Sequence, residues 1–539
     1  MLSLLLTAVL MQDIAEDDLP SSEDLRLAAR IFGLEFEESE AEQMRGSVTR
    51  RLDDLEQLRN VPIAWDEPFS LGFDPLLPGV EAHSPAFGGV KVELVESERP
   101  ADLNDLAFAN IPTLAHLIKA RKVSCAELTE LFLTRLETHD GKLNAVVTLT
   151  RERALKQAAA LDAELGEGKW RGPLHGIPYG AKDLLSVQGY PTTWGAKPYA
   201  EQVIGTDASV IRRLDEAGAV LVAKLSLGAL AMGDEWFRGR TNNPWNLERG
   251  SSGSSAGSAS ATAAGLVPFA IGSETLGSIV SPSVRCGNTS LRPTFGRVAR
   301  GGAMPLSWTM DKLGVLARSA VDCTLVMDAI HGADGIDPDA QTRPFQASGA
   351  VDVSGWRVGY QPEGKQEREG YTETLAELEA LGVELVPIEL PDYPVWGMML
   401  ILMAEAACSF DELTRDGRDD QLVQQGDDAW PNLFRAARLI PAVEYVRASR
   451  LRTALCRDMD EVMREVDLYV HPPHFGLSLG ITNLTGHPCV TAPSAIAREG
   501  RQPRTVCFTG KLHGDDMLLA LVQAWQSSTE HHRQQPAGF

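Results

Sequence analysis

Basic residues are the first shortage in this chain of 539 residues: 50 Lys and Arg stand against 74 Asp and Glu, a formal charge of −24. Such a field repels phosphate and excludes nucleic acid as a main partner. Solubility is the ordinary use of an acidic surface. Cysteine is scarce as well. Cys125, Cys286, Cys323, Cys408, Cys456, Cys489 and Cys507 are scattered, their number is odd, and no CxxC pair occurs. The chain therefore reads as neither a disulfide framework nor a zinc module, with thiols reduced and mostly buried. Long apolar runs are missing. The opening MLSLLLTAVLMQ is too short to span a bilayer and gives way at once to acidic DIAEDD. As a signal peptide it has an apolar segment but lacks a basic start and a small-x-small cleavage site. The competing reading is an N-terminal helix, so the balance favours the cytoplasm and leaves export through residues 1–19 open.

What is present is globular. The apolar fraction is 44 %, enough for a substantial core. Residues 21–59 carry apolar positions at helical spacing and predict two amphipathic helices broken near Gly33, faces that need a packing partner. A Pro- and Gly-rich extended stretch, VPIAWDEPFSLGFDPLLPG, follows, so residues 20–80 form a helical appendage and linker. From about residue 105 helices alternate with short strand-like runs: NAVVTLT, GAVLVAK, LYVHP and PCVTAPSAI. A helix capped by Ser124 is expected among them. The alternation extends to about residue 536 and implies one large α/β domain without internal repeats.

Residues 250–265 read GSSGSSAGSASATAAG. That is linker composition, yet it runs without a break into apolar LVPFAIG and a second glycine–serine turn, GSETLGS. It is better read as a buried loop and helix, in which small side chains permit close backbone approach. GSETLGS is not a phosphate loop, because Ser278 stands where the lysine should be. The G-x-S-x-G pattern occurs around Ser255 and Ser478; ITNLTGHPCV after Ser478 reads as non-helical, against a nucleophile elbow there. HPPH (His471, His474) has a spacing used by metals, but no third ligand is evident, and neither metal nor cofactor is expected. Upstream, GIPYGAKDLL places Lys182 in an apolar, glycine-flanked segment without alternation. Burial there lowers a lysine toward its neutral, basic form. The ordinary alternative is a charged lysine paired with Asp183 or another carboxylate.

These motifs resemble the amidase signature family. GIPYGAKDLL is similar to its lysine motif, and SGSSAGSASATAAGLVPFAIGSETLGSIVSPSVRCGNTSLRPTFGRV to its Gly-Ser signature. TDASVIRRLDEAGAVLVAKLSLGALAMGD, NNPWNLERG, GITNLTGHPCVTAPSAI and the closing DDMLLALVQAWQSSTEHHRQQP agree in order, from about 105 to 536. The resemblance implies a large mixed sheet covered by helices on both faces and a Ser-cisSer-Lys triad. Lys182 takes the place of the base, Ser254 of the bridging serine held in cis geometry, and Ser278 of the nucleophile. The N–H groups of Thr275, Leu276, Gly277 and Ser278 take the place of the oxyanion hole, and Ser255 that of a supporting hydroxyl. The chain departs from the family at Leu276 and Ser252, where glycines are usual, at Ala256, and at Val280, where an arginine is usual. Whether Arg285 compensates for Val280 is open at this level.

The implied activity is hydrolysis of linear carbon–nitrogen amide bonds on a small-molecule amide substrate, with a homodimer open. Two alternatives stand beside it. One is the glutaminase (A) subunit of a tRNA-dependent amidotransferase: residues 23–59 loosely resemble that complex's small helical subunit, but the glutamine-gripping segment is replaced by RLIPAVEYVRASRLR. The other is a non-catalytic binding protein on an amidase scaffold. Residues 395–450 are expected over the site's mouth, with Met398, Met399, Met403 and Trp430 serving either an apolar acyl pocket or the core.

Overall fold

Apolar runs between residues 146 and 510 become the strands of an 11-stranded mixed sheet in the computed structural model of the chain. It describes residues 20–80, 82–83, 91–362, 370–473, 476–495 and 502–539. The apolar N-terminal segment 1–19 and His474 lie outside the described residues. The strands are β1 (Val146–Leu149), β2 (Pro178–Lys182), β3 (Val220–Leu225), β4 (Phe269–Glu274), β5 (Thr289–Arg292), β6 (Lys312–Ala317), β7 (Arg357–Tyr360), β8 (Glu384–Pro387), β9 (Leu468–His471), β10 (Cys489–Ala495) and β11 (Arg504–Gly510). Their order across the sheet is β1-β3-β2-β4-β6-β5-β10-β11-β9-β7-β8. β2 runs parallel to both β3 and β4, while β4–β6, β6–β5, β5–β10 and β10–β11 are antiparallel. Every residue of β2, β3 and β6 is buried, as expected of strands covered on both faces. Among the described residues no helix is long and apolar enough to cross a membrane.

The chain divides into two units, Met1–Glu67 and Pro68–Phe539. In the smaller, α1 (Ser22–Ile31) and α2 (Glu38–Arg59) are separated by Gly33 at φ 69°, the break expected from sequence. Ser21 opens α1 with a capping box: its hydroxyl accepts from the Asp24 N–H at 3.1 Å and its own N–H donates to Asp24 Oδ2 at 2.9 Å. Arg26 and Arg45 tie the pair together by donating to the Phe36 and Pro20 carbonyls. In the larger unit, Ser124 caps the helix Cys125–Leu143 through a second capping box with Glu127. Part of the proline-rich stretch belongs to this unit too: Phe69 stacks on Trp308 with ring centroids 5.3 Å apart.

The serine–glycine–alanine stretch is no tether. Ala256–Ala263 is a helix whose residues are all buried. Small side chains are required by how close its surroundings come. A Cβ on Gly257 would stand 2.5 Å from both the Ala145 carbonyl oxygen and the Ser226 nitrogen, each of them backbone. Gly257→Ala should therefore lower Tm, with overpacking costing about 1–3 kcal/mol. Gly141→Ala, in the exposed last turn of Cys125–Leu143 where a Cβ meets nothing within 4 Å, should leave Tm unchanged or raise it, by about 0.5–1 kcal/mol. Thermal unfolding of the two variants side by side checks the contrast.

Candidate active site

Lys182 ends β2, and parallel pairing with β4 puts it beside the strand that leads into residues 275–278. Its side chain is fully buried. Nζ lies 2.8 Å from Ser254 Oγ, 3.1 Å from Ser255 Oγ and 2.9 Å from Ser273 Oγ, with the Ser273 carbonyl at 3.4 Å. Among the described residues no carboxylate forms an ion pair with it. Burial pulls the amine down to about 7, against the opposing pull of Asp311 and Glu274. Asp183, the neighbour that could have held Lys182 charged, is engaged elsewhere: Lys224 Nζ sits 2.6 Å from its Oδ1, and Thr193 donates to its Oδ2.

The serine loop meets this amine from the other side. The Gly253–Ser254 peptide is cis. Ser255 is tied on two sides, accepting from the Ser273 N–H at 3.2 Å and donating to the Ser273 carbonyl at 3.0 Å. Its proton is thus committed, and toward Lys182 it can only accept. The Ser255 N–H donates to the Ser278 carbonyl at 3.0 Å, which sets the backbone of Ser278 against the paired serines. Ser252, at a usual glycine position, has φ 60°, the left-handed backbone that glycine adopts most easily. It is held there by its N–H to Asp234 at 2.8 Å and by its hydroxyl to Ser281 at 2.7 Å.

Residues 275–278 are braced by groups that sequence reasoning did not single out. Glu274 Oε2 accepts from the Ile279 and Val280 N–H groups at 2.8 and 2.9 Å. Its Oε1 accepts from Arg292 at 2.8 Å and Asn483 at 2.9 Å. Burial raises this carboxyl, but the Arg292 charge and the hydrogen bonds overcome that and hold it at about 2. Thr275 donates to Asp311 Oδ1 at 2.5 Å, and Asp311 Oδ2 accepts from the Leu306 and Ser307 N–H groups. The signal for Glu274 was its place one residue before the loop. Arg292, Asn483 and Asp311 come from β5, the helix Leu477–Thr485 and the loop before β6, and carry no local pattern.

The departures resolve in packing terms. Gly277 takes the left-handed backbone at φ 84°, so Leu276 is not asked to. Leu276 packs with Val284 against a buried cluster of Val280, Leu479, Cys489 and Cys507. Where a charge is usual, the chain has apolar contact, and the buried cation bonded to Glu274 is Arg292 rather than Arg285. Ser478 is corrected: the segment after it is helical, Leu477–Thr485, and its hydroxyl bonds Tyr469 at 2.8 Å within the core. Met398, Met399 and Trp430 are buried, and the Trp430 indole stacks on Phe434 at 4.8 Å and donates to the Leu230 carbonyl.

Known proteins agree with this architecture. The amidase family matches residues 127–489. The A subunit of glutamyl-tRNA(Gln) amidotransferase from Moorella thermoacetica is 30% identical over 80% of this chain and 99% of its own length, and its counterpart from Roseiflexus castenholzii is 33% identical over 77% and 94%. The solved structure of native peptide amidase from Stenotrophomonas maltophilia superposes with a TM-score of 0.71 at 28% identity, covering 80% of this chain and 99% of that one. With the motif order, the sheet and these likenesses in agreement, the chain belongs to the amidase signature family.

Proposed function

We propose that the protein hydrolyses linear carbon–nitrogen amide bonds through Lys182, Ser254 and Ser278. The observation that carries this reading is a fully buried lysine, lowered to about 7, with Nζ 2.8 Å from the Ser254 hydroxyl. A serine hydroxyl is a weak nucleophile until a base takes its proton, and a neutral amine is such a base. In acylation, Ser278 Oγ attacks the substrate carbonyl carbon. Its proton passes to Ser254 Oγ as the Ser254 proton passes to Lys182 Nζ. The carbonyl π pair moves onto oxygen, where the N–H groups of Thr275, Leu276, Gly277 and Ser278 meet it. When that pair returns, the carbon–nitrogen bond breaks and the amine leaves with the proton carried back from Lys182 through Ser254. Water then cleaves the Ser278 ester by the same relay. Ser255, with its proton fixed on the Ser273 carbonyl, positions the amine and does not carry protons.

A second reading, the A subunit of a tRNA-dependent amidotransferase, is favoured by the curated relatives of that name, which this chain matches over nearly their whole length. The same residues would then release ammonia from glutamine for a partner protein. RLIPAVEYVRASRLR speaks against it. This segment enters the helix Ala442–Arg464, whose Arg452 is buried and spent on the Thr309 and Leu484 carbonyls, leaving it to hold structure. The third alternative, a binding protein without catalysis, is opposed by the buried amine itself.

Ser278→Ala should abolish amide turnover with Tm retained, and wild type but not S278A should be labelled by a fluorophosphonate; an unlabelled wild type favours the binding protein. Ser254→Ala and Lys182→Ala should each lower kcat/KM by at least about 1,000-fold. Lys182→Arg should not rescue, because guanidinium stays protonated at working pH.

The base must be neutral at the start, so kcat/KM should rise with pH along a limb centred near the lowered lysine value of about 7, below which the amine is protonated and inactive. A flat profile from pH 5 to 9 would remove Lys182 from the role of base.

Assay of short amides and glutamine side by side, with and without purified partner subunits, separates the first two readings. Turnover of simple amides without partners supports the hydrolase; glutamine turnover that needs partners supports the amidotransferase.

A further inference from the structure

Behind residues 276–280 three neighbouring strands bring together side chains that sequence keeps apart. β11 lies between β9 and β10, and the registers pair His471 with Cys507 and Cys507 with Thr491, while Cys489 faces Thr509. His471, Cys507 and Cys489 therefore share one sheet face, Cys489 standing diagonal to Cys507. A ring nitrogen of His471 and the two Sγ atoms offer one donor each, all within 4.8 Å of one another. The three residues are 7, 3 and 1 % exposed for His471, Cys489 and Cys507, and both cysteines are free thiols.

The ring is oriented for ligation. His471 Nδ1 lies 3.1 Å from the Pro472 carbonyl. A carbonyl only accepts, so Nδ1 carries the proton and Nε2 keeps its lone pair. This is how protein metal sites fix a histidine. Ser478 Oγ, 3.3 Å from Nε2, and Thr509 Oγ1, at 3.1 Å, supply hydroxyl oxygens on the same side. A cation about 2.0–2.3 Å from each donor draws donors to within about 4 Å of one another, so closure on the order of 1 Å completes the shell.

We propose that His471, Cys489 and Cys507 form a buried site for one divalent thiophilic cation of the zinc class, with the Thr509 and Ser478 hydroxyls as the oxygens at hand for a fourth position. Charge favours the divalent ion. Two thiolates and a neutral imidazole cancel it, whereas a monovalent ion would leave a net negative charge in an apolar surround that includes Val280 and Leu479. Two sulfurs and one imidazole are donors for a soft or borderline metal, not for magnesium or calcium. The site lies behind the loop of residues 276–280 and takes no part in the proton relay of the serine–lysine centre.

The full chain, stripped with chelator in the presence of a phosphine reductant, is titrated with Co(II) and then Zn(II). One equivalent of Co(II) should give sulfur-to-metal charge-transfer absorption in the near ultraviolet, displaced by one equivalent of Zn(II). Cys489→Ser and Cys507→Ser should each remove that band and weaken zinc binding by at least about 100-fold, while Cys408→Ser, at the exposed cysteine, should leave both intact. X-ray absorption at the zinc edge of the loaded wild type should show two sulfurs and one imidazole, and it serves should the serine variants fail to fold. A folded wild type without the band, a band that survives both substitutions, zinc held by nitrogen and oxygen alone, preferential uptake of Cu(I), or a Cys489–Cys507 disulfide formed in place of metal binding would each overturn the proposal.

Discussion

A lysine amine held out of water without a carboxylate to balance it is the constraint around which the larger unit is arranged. Desolvation makes the charged form costly, and a single close anion would restore it. The acidic groups nearby each have another engagement. Asp183 is paired with Lys224, Glu274 with Arg292, and Asp311 with Thr275 and two backbone N–H groups. What remains at Lys182 is a ring of serine oxygens, which satisfy its hydrogens without fixing its charge. The small side chains of residues 253–263 follow from the same demand, since water must be excluded by backbone where no bulky group fits.

Much of this was legible in the sequence because it is local. Lys182 stood out in an apolar run, the serine loop by composition, and β1, β3, β9 and β10 by length and β-branching. The α1–α2 break at Gly33 and the Ser124 cap are nearest-neighbour effects. The brace on residues 275–278 was not legible. Asn483 lies 209 residues from Glu274, and only the sheet order brings their elements together. The segment after Ser478 reads as non-helical because ITNLT is rich in β-branched residues, poor intrinsic helix formers. Its helix is stabilised by burial instead, with every residue from Ser478 to Thr485 inside the core. His471 lacked partners in sequence for the same reason that Glu274 did: Cys489 and Cys507 reach it only through strand register.

The departures at Leu276 and Val280 exchange one kind of support for another. An arginine at 280 would brace the loop by directed hydrogen bonds. Here the loop leans on Leu479, Cys489 and Cys507 through contacts that have no direction, and directional control is left to Glu274 through the Ile279 and Val280 N–H groups. The glycine lost at 276 is spared by the one kept at 277.

The pairing of β2 with β3 sets Ala181 opposite Lys224 and Lys182 opposite Leu225. Two buried lysines on adjacent strands are thereby offset by one residue and leave the sheet on opposite faces, one toward the serines and the other toward Asp183. A slip of β2 by one position would carry Lys182 to the face that Lys224 occupies and leave the serine loop facing Ala181 or Asp183 instead of an amine. Strand alignment in this protein is therefore a chemical variable, because it decides whether a buried amine meets the serines at all.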